Sequence, residues 1–409
     1  MSGNFFQVDK IEQRLFYYLC GVAFFLPFSK AASNIFLGFS LLAFFHRMFR
    51  KHDDAAKNFR ECKKIFEPIG ALLAAVLISA LFSGEIAEGL INFTNKYIFH
   101  MSAMLPIIFV RFDREKIFRL FKFLIAGVFI SNLVVVIQAL PHLDARRWRF
   151  GGTLSVMSQG SLLIMFLPVF LILLMYLKRR SLKILVLLGF VNCLLAMIFN
   201  GTRGAWVAAL VLVPAIIFLY FGFTKKSVAG FLIFVFATGL IFFTVPAFKR
   251  RAWSIRSMKM RSNVERFLMW ESAFNMFKDH PLTGVGYGQY GKAYQTKYIL
   301  PKAREKNLVH AHSNVMQMLG ECGILGLSAF LFLWLYLSIF ALRGWRREKN
   351  IACLMFLCML WGMMLHGLTE FNFEASVPSK ILWFSLALCL AYMRSENSKL
   401  LPENGGIIS

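Results

Sequence analysis

The sequence predicts an all-α polytopic membrane protein of about twelve transmembrane helices, and three observations carry that expectation. Hydrophobic residues make up 58% of the 409-residue chain and charged residues only 16%, more apolar surface than a soluble domain of this length could cover. Apolar runs of about 20 residues recur along the chain, separated by short basic clusters. The runs are continuous rather than alternating, so of the two architectures that satisfy the backbone in lipid, helices are expected and a barrel is excluded.

The spans follow in order. The first two, 13–28 and 31–47, flank a break at Pro27 and Ser29, where proline ends a helix. Seven more are expected at 66–84, 90–110, 117–139, 155–177, 181–199, 204–222 and 228–246. After a long connection come 312–342, 351–370 and 377–393. The chain thus divides into nine spans over 1–246, a loop over 247–311, three spans over 312–393 and a polar tail over 394–409. No basic stretch followed by a small-residue cleavage site opens the N-terminus, so the first apolar segment is expected to be retained.

Sidedness follows from charge. With the N-terminus inside, connections such as "KRRSLK" and "LRGWRREKN" fall in the cytoplasm, rich in Lys and Arg, and the opposite connections "EIAEG" and "FNFEAS" are acidic or neutral. Both termini are then cytoplasmic. The net charge of +25, from 46 basic and 21 acidic residues, is read as this membrane bias, and no nucleic-acid partner is expected. Six of the seven cysteines lie in apolar segments without a CxxC, which argues against a disulfide framework or a zinc site.

Two outer segments break the charge rule. "LPHLDARRWRFGG" holds Arg146, Arg147 and Arg149, and the long loop opens with Lys249, Arg250, Arg251, Arg256, Lys259, Arg261 and Arg266. Either an anionic ligand sits on the outer face, for which phosphate suits Arg best, or a long loop crosses regardless of its charge. Inside that loop, Ser262 precedes Glu265 in the capping-box pattern, and Val264, Phe267, Leu268, Phe274 and Phe277 fall on helical spacing. An amphipathic helix over 262–280 is expected, lying along the membrane surface or against the bundle, with Arg266 in its first turn opposing the dipole. "PLTGVGYGQYG" then reads as a Gly-rich turn, without the strand or GK[ST] of a nucleotide loop.

Four further residues stand out. Arg203, between glycines in "FNGTRGAWVAAL", either snorkels or meets an anionic partner. His312, expected to open the tenth span, is either interfacial or a base that takes a proton near neutral pH, and His310 is the rival base. Glu321, nine residues on, faces the opposite side of an unbroken helix from His312 and reads as an intramembrane carboxylate held by polar neighbours.

"ERFLMWESAFNMFKDHPLTGVGYGQY" followed by "HAHSNVMQMLGECGILGL" resembles the signature of the O-antigen ligase and polymerase superfamily of bacterial inner-membrane proteins. Arg266 with Trp270, His280-Pro281 with Gly284 and Gly286, and His312 through Gln317, Glu321, Gly323 and Gly326 follow its order. "GTRGAW" is similar to its Thr-Arg-Gly turn, and "RRWRFGGTL" to its Arg-x-x-Gly-Thr segment. One departure is Ser313 in the usual Asn place, with Asn314 next, which leaves the role of the amide open.

The resemblance implies a GT-C-like fold and transfer of a glycan from an undecaprenyl-pyrophosphate-linked donor at the periplasmic face, without metal or other cofactor. Ligases deliver it to lipid A-core, polymerases to another repeat unit and some relatives to protein. It implies that Arg203 and Arg266 bind pyrophosphate, with Arg149 a third contact, and that His312 is the general base; His310, Glu321, Asn314 and Arg261 are secondary candidates. An O-antigen ligase that inverts the anomeric carbon, with membrane lipids around it, is the leading expectation, and a polymerase the next. A lipid-linked glycan transporter is the rival of another class, although transporters hold substrate near the midplane, often between repeats, and no repeat is evident.

Overall fold

The computed structural model describes residues 2–50, 53–143, 149–244, 249, 253 and 261–397. Thirteen helices organise them: α1 Ser2–Phe25, α2 Lys30–Arg50, α3 Asp53–Leu81, α4 Ile86–Phe93, α5 Arg114–Ala139, α6 Val156–Tyr176, α7 Arg180–Asn200, α8 Arg203–Phe221, α9 Lys225–Thr244, α10 Arg261–Asp279, α11 Asn314–Glu348, α12 Ile351–Gly367 and α13 Ser376–Asn397. Short helical turns and loops make up the rest, and no strand occurs among the described residues. Eight of these helices are long and apolar enough to cross a membrane, and the 17-residue α12 is a shorter apolar neighbour. The chain is an all-α polytopic membrane protein.

Burial sorts the helices into a centre and a rim. In α6 and α13, 78% and 89% of the membrane-length window is buried, against 28% in α2 and 33% in α7. A helix that is apolar all round and enclosed by protein belongs to the bundle core; one with an exposed apolar face meets lipid. α6 packs on α7, α8 and α12, and α11 packs on α3, α10 and α12.

Two irregularities interrupt this regular pattern. The span expected at 90–110 is a broken element, with a π turn at Thr94–Ile98 and a 3₁₀ turn at Ser102–Met104 between short helices that end before Val110. Helix α11 is interrupted at Gly323, whose φ of +60° and ψ of −155° lie outside the helical region. The break frees two carbonyls, and the Gly-rich turn takes them: Val285 N–H donates to Gly320 O at 3.0 Å and Gly286 N–H to Glu321 O at 3.1 Å. Glycine is required there by space as well as by φ, since a Cβ on Gly284 would sit 2.3 Å from the Glu321 carbonyl carbon.

Candidate active site at one end of the bundle

Four segments converge at one end of the bundle: the start of α8, helix α10, the approach to α11, and the turn between α12 and α13. The start of α8 presses on that turn so closely that a Cβ on Gly204 would meet Thr369 Oγ1 at 2.6 Å. Arg203 therefore stands beside the residues leading to Glu370.

His312 lies before α11 rather than within it. Ser313 is the helix N-cap, its hydroxyl accepting from Met316 N–H at 3.4 Å, and His312 has a φ of +49°. Such a conformation is strained for a residue with a Cβ and persists only where neighbours hold it. Here Gln317 Oε1 accepts from Ala311 N–H at 2.7 Å, and the His312 N–H points to His310 Nδ1 at 3.4 Å. The result swings the imidazole out of the helix line and toward the α12–α13 turn. Its Nδ1 lies 2.9 Å from Glu370 Oε1.

Glu370 is buried, with its carboxylate shared between His312 and Arg266. Oε1 meets His312 and Oε2 lies 3.4 Å from Arg266. Burial pushes this carboxyl up, but the hydrogen bond and charge of His312, joined by His366 and Arg266, outweigh it and hold the group at about 2. An ionised carboxylate can only accept, so Nδ1 of His312 is the donor, and in the neutral imidazole that tautomer places the lone pair on Nε2. The His312 side chain is 22% exposed, which leaves room for a substrate.

Asn314 is the latch that sets this geometry. Fully buried, it accepts through Oδ1 from the backbone N–H groups of Asn372 and Phe373, at 3.0 and 3.1 Å, and donates through Nδ2 to Asn372 Oδ1 at 2.8 Å. Asn372 in turn donates to Ser161 Oγ and to Met363 O at 3.1 and 3.0 Å. The turn that carries Glu370 is thus tied to α6, α11 and α12 together.

The arginines gather without being neutralised to the same degree. Arg203 donates to Ser262 Oγ and Asn263 Oδ1, both at 2.8 Å, and feels the positive charges of Arg266 and Arg149. Arg149 is exposed. Trp270, one turn on from Arg266, has a buried indole N–H with no partner among the described residues. Arg261 stands apart, paired with Glu305 at 2.7 Å. Arg146, Arg147, Arg250, Arg251, Arg256 and Lys259 lie outside the described residues.

Several local expectations change. The described α10 begins at Arg261, so Arg266 lies beyond its first turn, and Ser262 and Glu265 do not form a capping box. Glu265 instead accepts from the backbone of Arg304 and Glu305, at 3.0 and 3.3 Å. The buried face of α10 is Glu265, Met269, Ser272, Ala273 and Met276, and Phe267 and Phe274 are exposed. Helical spacing identified one apolar stripe, but both faces are partly apolar and packing on α11 selected the smaller residues. The assumed unbroken helix from His312 to Glu321 is also absent. Glu321 Oε1 accepts from Tyr290 N–H at 2.9 Å.

His310 packs edge-on against His312, with ring centroids 4.2 Å apart. Burial, followed by the charge of His312, pushes its imidazole down to about 4. The donor atoms of His310, His312 and Glu370 lie within 4.8 Å of one another and form the one grouping of this kind among the described residues that could hold a metal ion. Against that use, both Glu370 oxygens already serve His312 and Arg266.

Glu370, Asn372 and the part Asn314 plays in orienting them were not anticipated from the sequence. The available signal was "TEFNFEAS", of which the expected span 351–370 took in Glu370 and "FNFEAS" served only to orient the spans. A second ion pair, half-exposed Lys96 with buried Glu374 at 3.1 Å, joins the broken element to the same turn, and Tyr97 donates to Glu374 at 3.2 Å.

Residues 188–331 match the protein family described as O-antigen ligase. The chain is also 26% identical over 224 residues to an uncharacterised protein of Haemophilus influenzae, covering 50% of this chain and 56% of that one. It therefore spans little more than half the length of that relative.

Proposed function

We propose, from the match of residues 188–331 to the O-antigen ligase family, that this chain is an O-antigen ligase moving O-polysaccharide from undecaprenyl pyrophosphate to lipid A-core at the periplasmic face of the bacterial inner membrane. The observation that carries the chemistry is the His312–Glu370 contact of 2.9 Å, which turns Nδ1 to the carboxylate and keeps Nε2 for an acceptor, near a cluster of arginines.

In this reading Nε2 of His312 takes the proton of an acceptor sugar hydroxyl as its oxygen attacks the anomeric carbon. The bond from that carbon to the pyrophosphate oxygen breaks, and its electron pair leaves with undecaprenyl pyrophosphate. Attack from the face opposite the leaving group inverts the centre. Glu370 holds the correct imidazole tautomer and stabilises the imidazolium that forms, the part a buried carboxylate plays beside a catalytic histidine. Arg203 and Arg266 neutralise the departing pyrophosphate, and Arg149 reaches it from the exposed side. The long 3.4 Å contact of Arg266 with Glu370 suits a residue that turns toward an incoming anion. No metal or cofactor enters the scheme.

The test is reconstitution of the purified protein with undecaprenyl-pyrophosphate glycan and lipid A-core. Glycan on lipid A-core supports the ligase, glycan on a second carrier-linked glycan makes it a polymerase, and no transfer to either overturns the proposal. His312→Ala should abolish transfer and leave donor binding intact. Arg203→Ala and Arg266→Ala should weaken donor binding or transfer, and retention of both would remove the pyrophosphate assignment.

A further inference from the structure

A groove of about 800 Å³ opens at the end of the bundle opposite His312. Helices α5, α7 and α12 begin there and α6 and α13 end there. Its wall is almost wholly apolar, with Phe121, Ile125, Phe170, Leu185, Met355 and Leu388 among its residues. It follows α5 from Ile117 to Ile130, a rise of roughly 20 Å at 1.5 Å per residue. One leaflet of hydrocarbon is about 15 Å deep, so the groove has the length of an acyl chain in a single leaflet.

Two further features point to a ligand with a polar head. Lys122 is in the wall, and Lys178, Arg179 and Arg180 occupy the stretch between the wall residues Leu177 and Leu182. All four are exposed and form no ion pair among the described residues. In the wall, Ser385 is 93% buried (7% exposed) and its hydroxyl has no hydrogen-bond partner among the described residues. A buried hydroxyl surrounded by hydrocarbon needs an acceptor, and the ester carbonyl of a lipid supplies one just beneath a phosphate.

We infer that this groove is a binding site for one anionic phospholipid, its acyl chains along α5 and α7, an ester carbonyl on Ser385 and its phosphate among Lys122, Lys178, Arg179 and Arg180. A zwitterionic lipid fills the same apolar space but gains little from four unpaired cations. The basic cluster then does more than orient the chain in the membrane: it selects a lipid, on the side away from the transfer chemistry.

The full-length protein in mild detergent, titrated with phosphatidylglycerol or phosphatidylcholine and read by native mass spectrometry, tests this. One phosphatidylglycerol retained per chain is expected, with a preference on the order of fivefold for each cation engaged. Lys122→Glu with Arg179→Glu should remove the preference, Ser385→Ala should lower retention of the anionic lipid, and Ala126→Trp should block the groove and remove retention. Equal retention of both lipids, or undiminished retention in Ala126→Trp, overturns the proposal. Should Ala126→Trp fail to fold, a phosphatidylglycerol with a photoreactive acyl chain decides on the unaltered protein: labels confined to the groove walls of α5 and α7 support the site, and labels spread over the lipid-facing helices overturn it.

Discussion

Glu370 Oε1 lies 2.9 Å from Nδ1 of His312, and the two residues are 58 positions apart in the chain. The contact decides which nitrogen of the imidazole faces the carboxylate. It also ties the entry to α11 to the turn between α12 and α13, so that the proposed base and its orienting group move together.

Replacing Glu370 by Gln should lower transfer by about 10²–10⁴-fold with little change in KM for the donor glycan. A glutamine amide can present its N–H₂ to Nδ1 and so favour the wrong tautomer, and it removes the charge that stabilises imidazolium. Steady-state kinetics of the reconstituted protein measure the split; an unchanged kcat would end the role assigned to Glu370. His310→Ala is the companion control and should leave at least a substantial part of kcat.

Asn314→Ala tests the latch. It removes the acceptor of two buried backbone N–H groups, those of Asn372 and Phe373, each costing about 1–3 kcal/mol when unsatisfied. Thermal unfolding should shift down by several degrees, and kcat should fall more than donor affinity, because Glu370 loses its position. Asn314→Asp, which keeps the acceptor oxygen, should restore much of the stability.

Gly323→Ala should destabilise more than an ordinary surface change. Its φ of +60° is unfavourable for alanine, and the added Cβ would lie 2.5 Å from the Leu282 carbonyl. A cost of about 1–2 kcal/mol from the backbone alone is expected, with overlap added. Reduced yield and a lower unfolding temperature check it; wild-type stability would show that the α11 break is easily reshaped.

Acid should destabilise the fold in two overlapping steps. His310 is held down to about 4 from an ordinary 6.5, so as pH falls through 6.5 the unfolded chain binds a proton that the folded chain refuses. Stability is lost between those values. Glu370 is held down to about 2 from 4.5, so its contribution is complete above 4.5 and is lost as pH falls toward 2. The unfolding temperature of the protein in detergent should therefore decline from pH 7 to 4, with the upper part of the decline missing in His310→Gln. An unfolding temperature that rises on acidification would contradict both assignments.

Much of the architecture was legible in the sequence because a bilayer imposes a one-dimensional rule. Twenty apolar residues must form a helix in lipid, whatever their neighbours do, and the all-α polytopic class followed from that alone. The rule fails where protein replaces lipid as the surroundings. The span expected at 90–110 breaks at a π turn, since Lys96 and Tyr97 reach a buried partner, Glu374, that no local pattern reveals. For α10, periodicity found a helix but not which of two apolar faces would be buried.

The candidate site divides the same way. Arg203, Arg266 and His312 could be singled out from the sequence because a cation or an imidazole at a lipid boundary is costly and stands out against its neighbours. Glu370 and Asn314 could not, because an acidic residue in a short turn between helices and an amide at a helix start are each unremarked locally. Their meaning comes from pairing across more than 50 residues, with His312 and with Asn372. The sequence by itself determined a helical membrane bundle with arginines and histidines singled out at the expected ends of its spans. Only the tertiary structure decided that His312 leaves the helix, that Glu370 rather than Glu321 meets it, and which of its nitrogens faces that carboxylate, because hydrogen-bond geometry depends on positions in space that hydropathy and spacing do not encode.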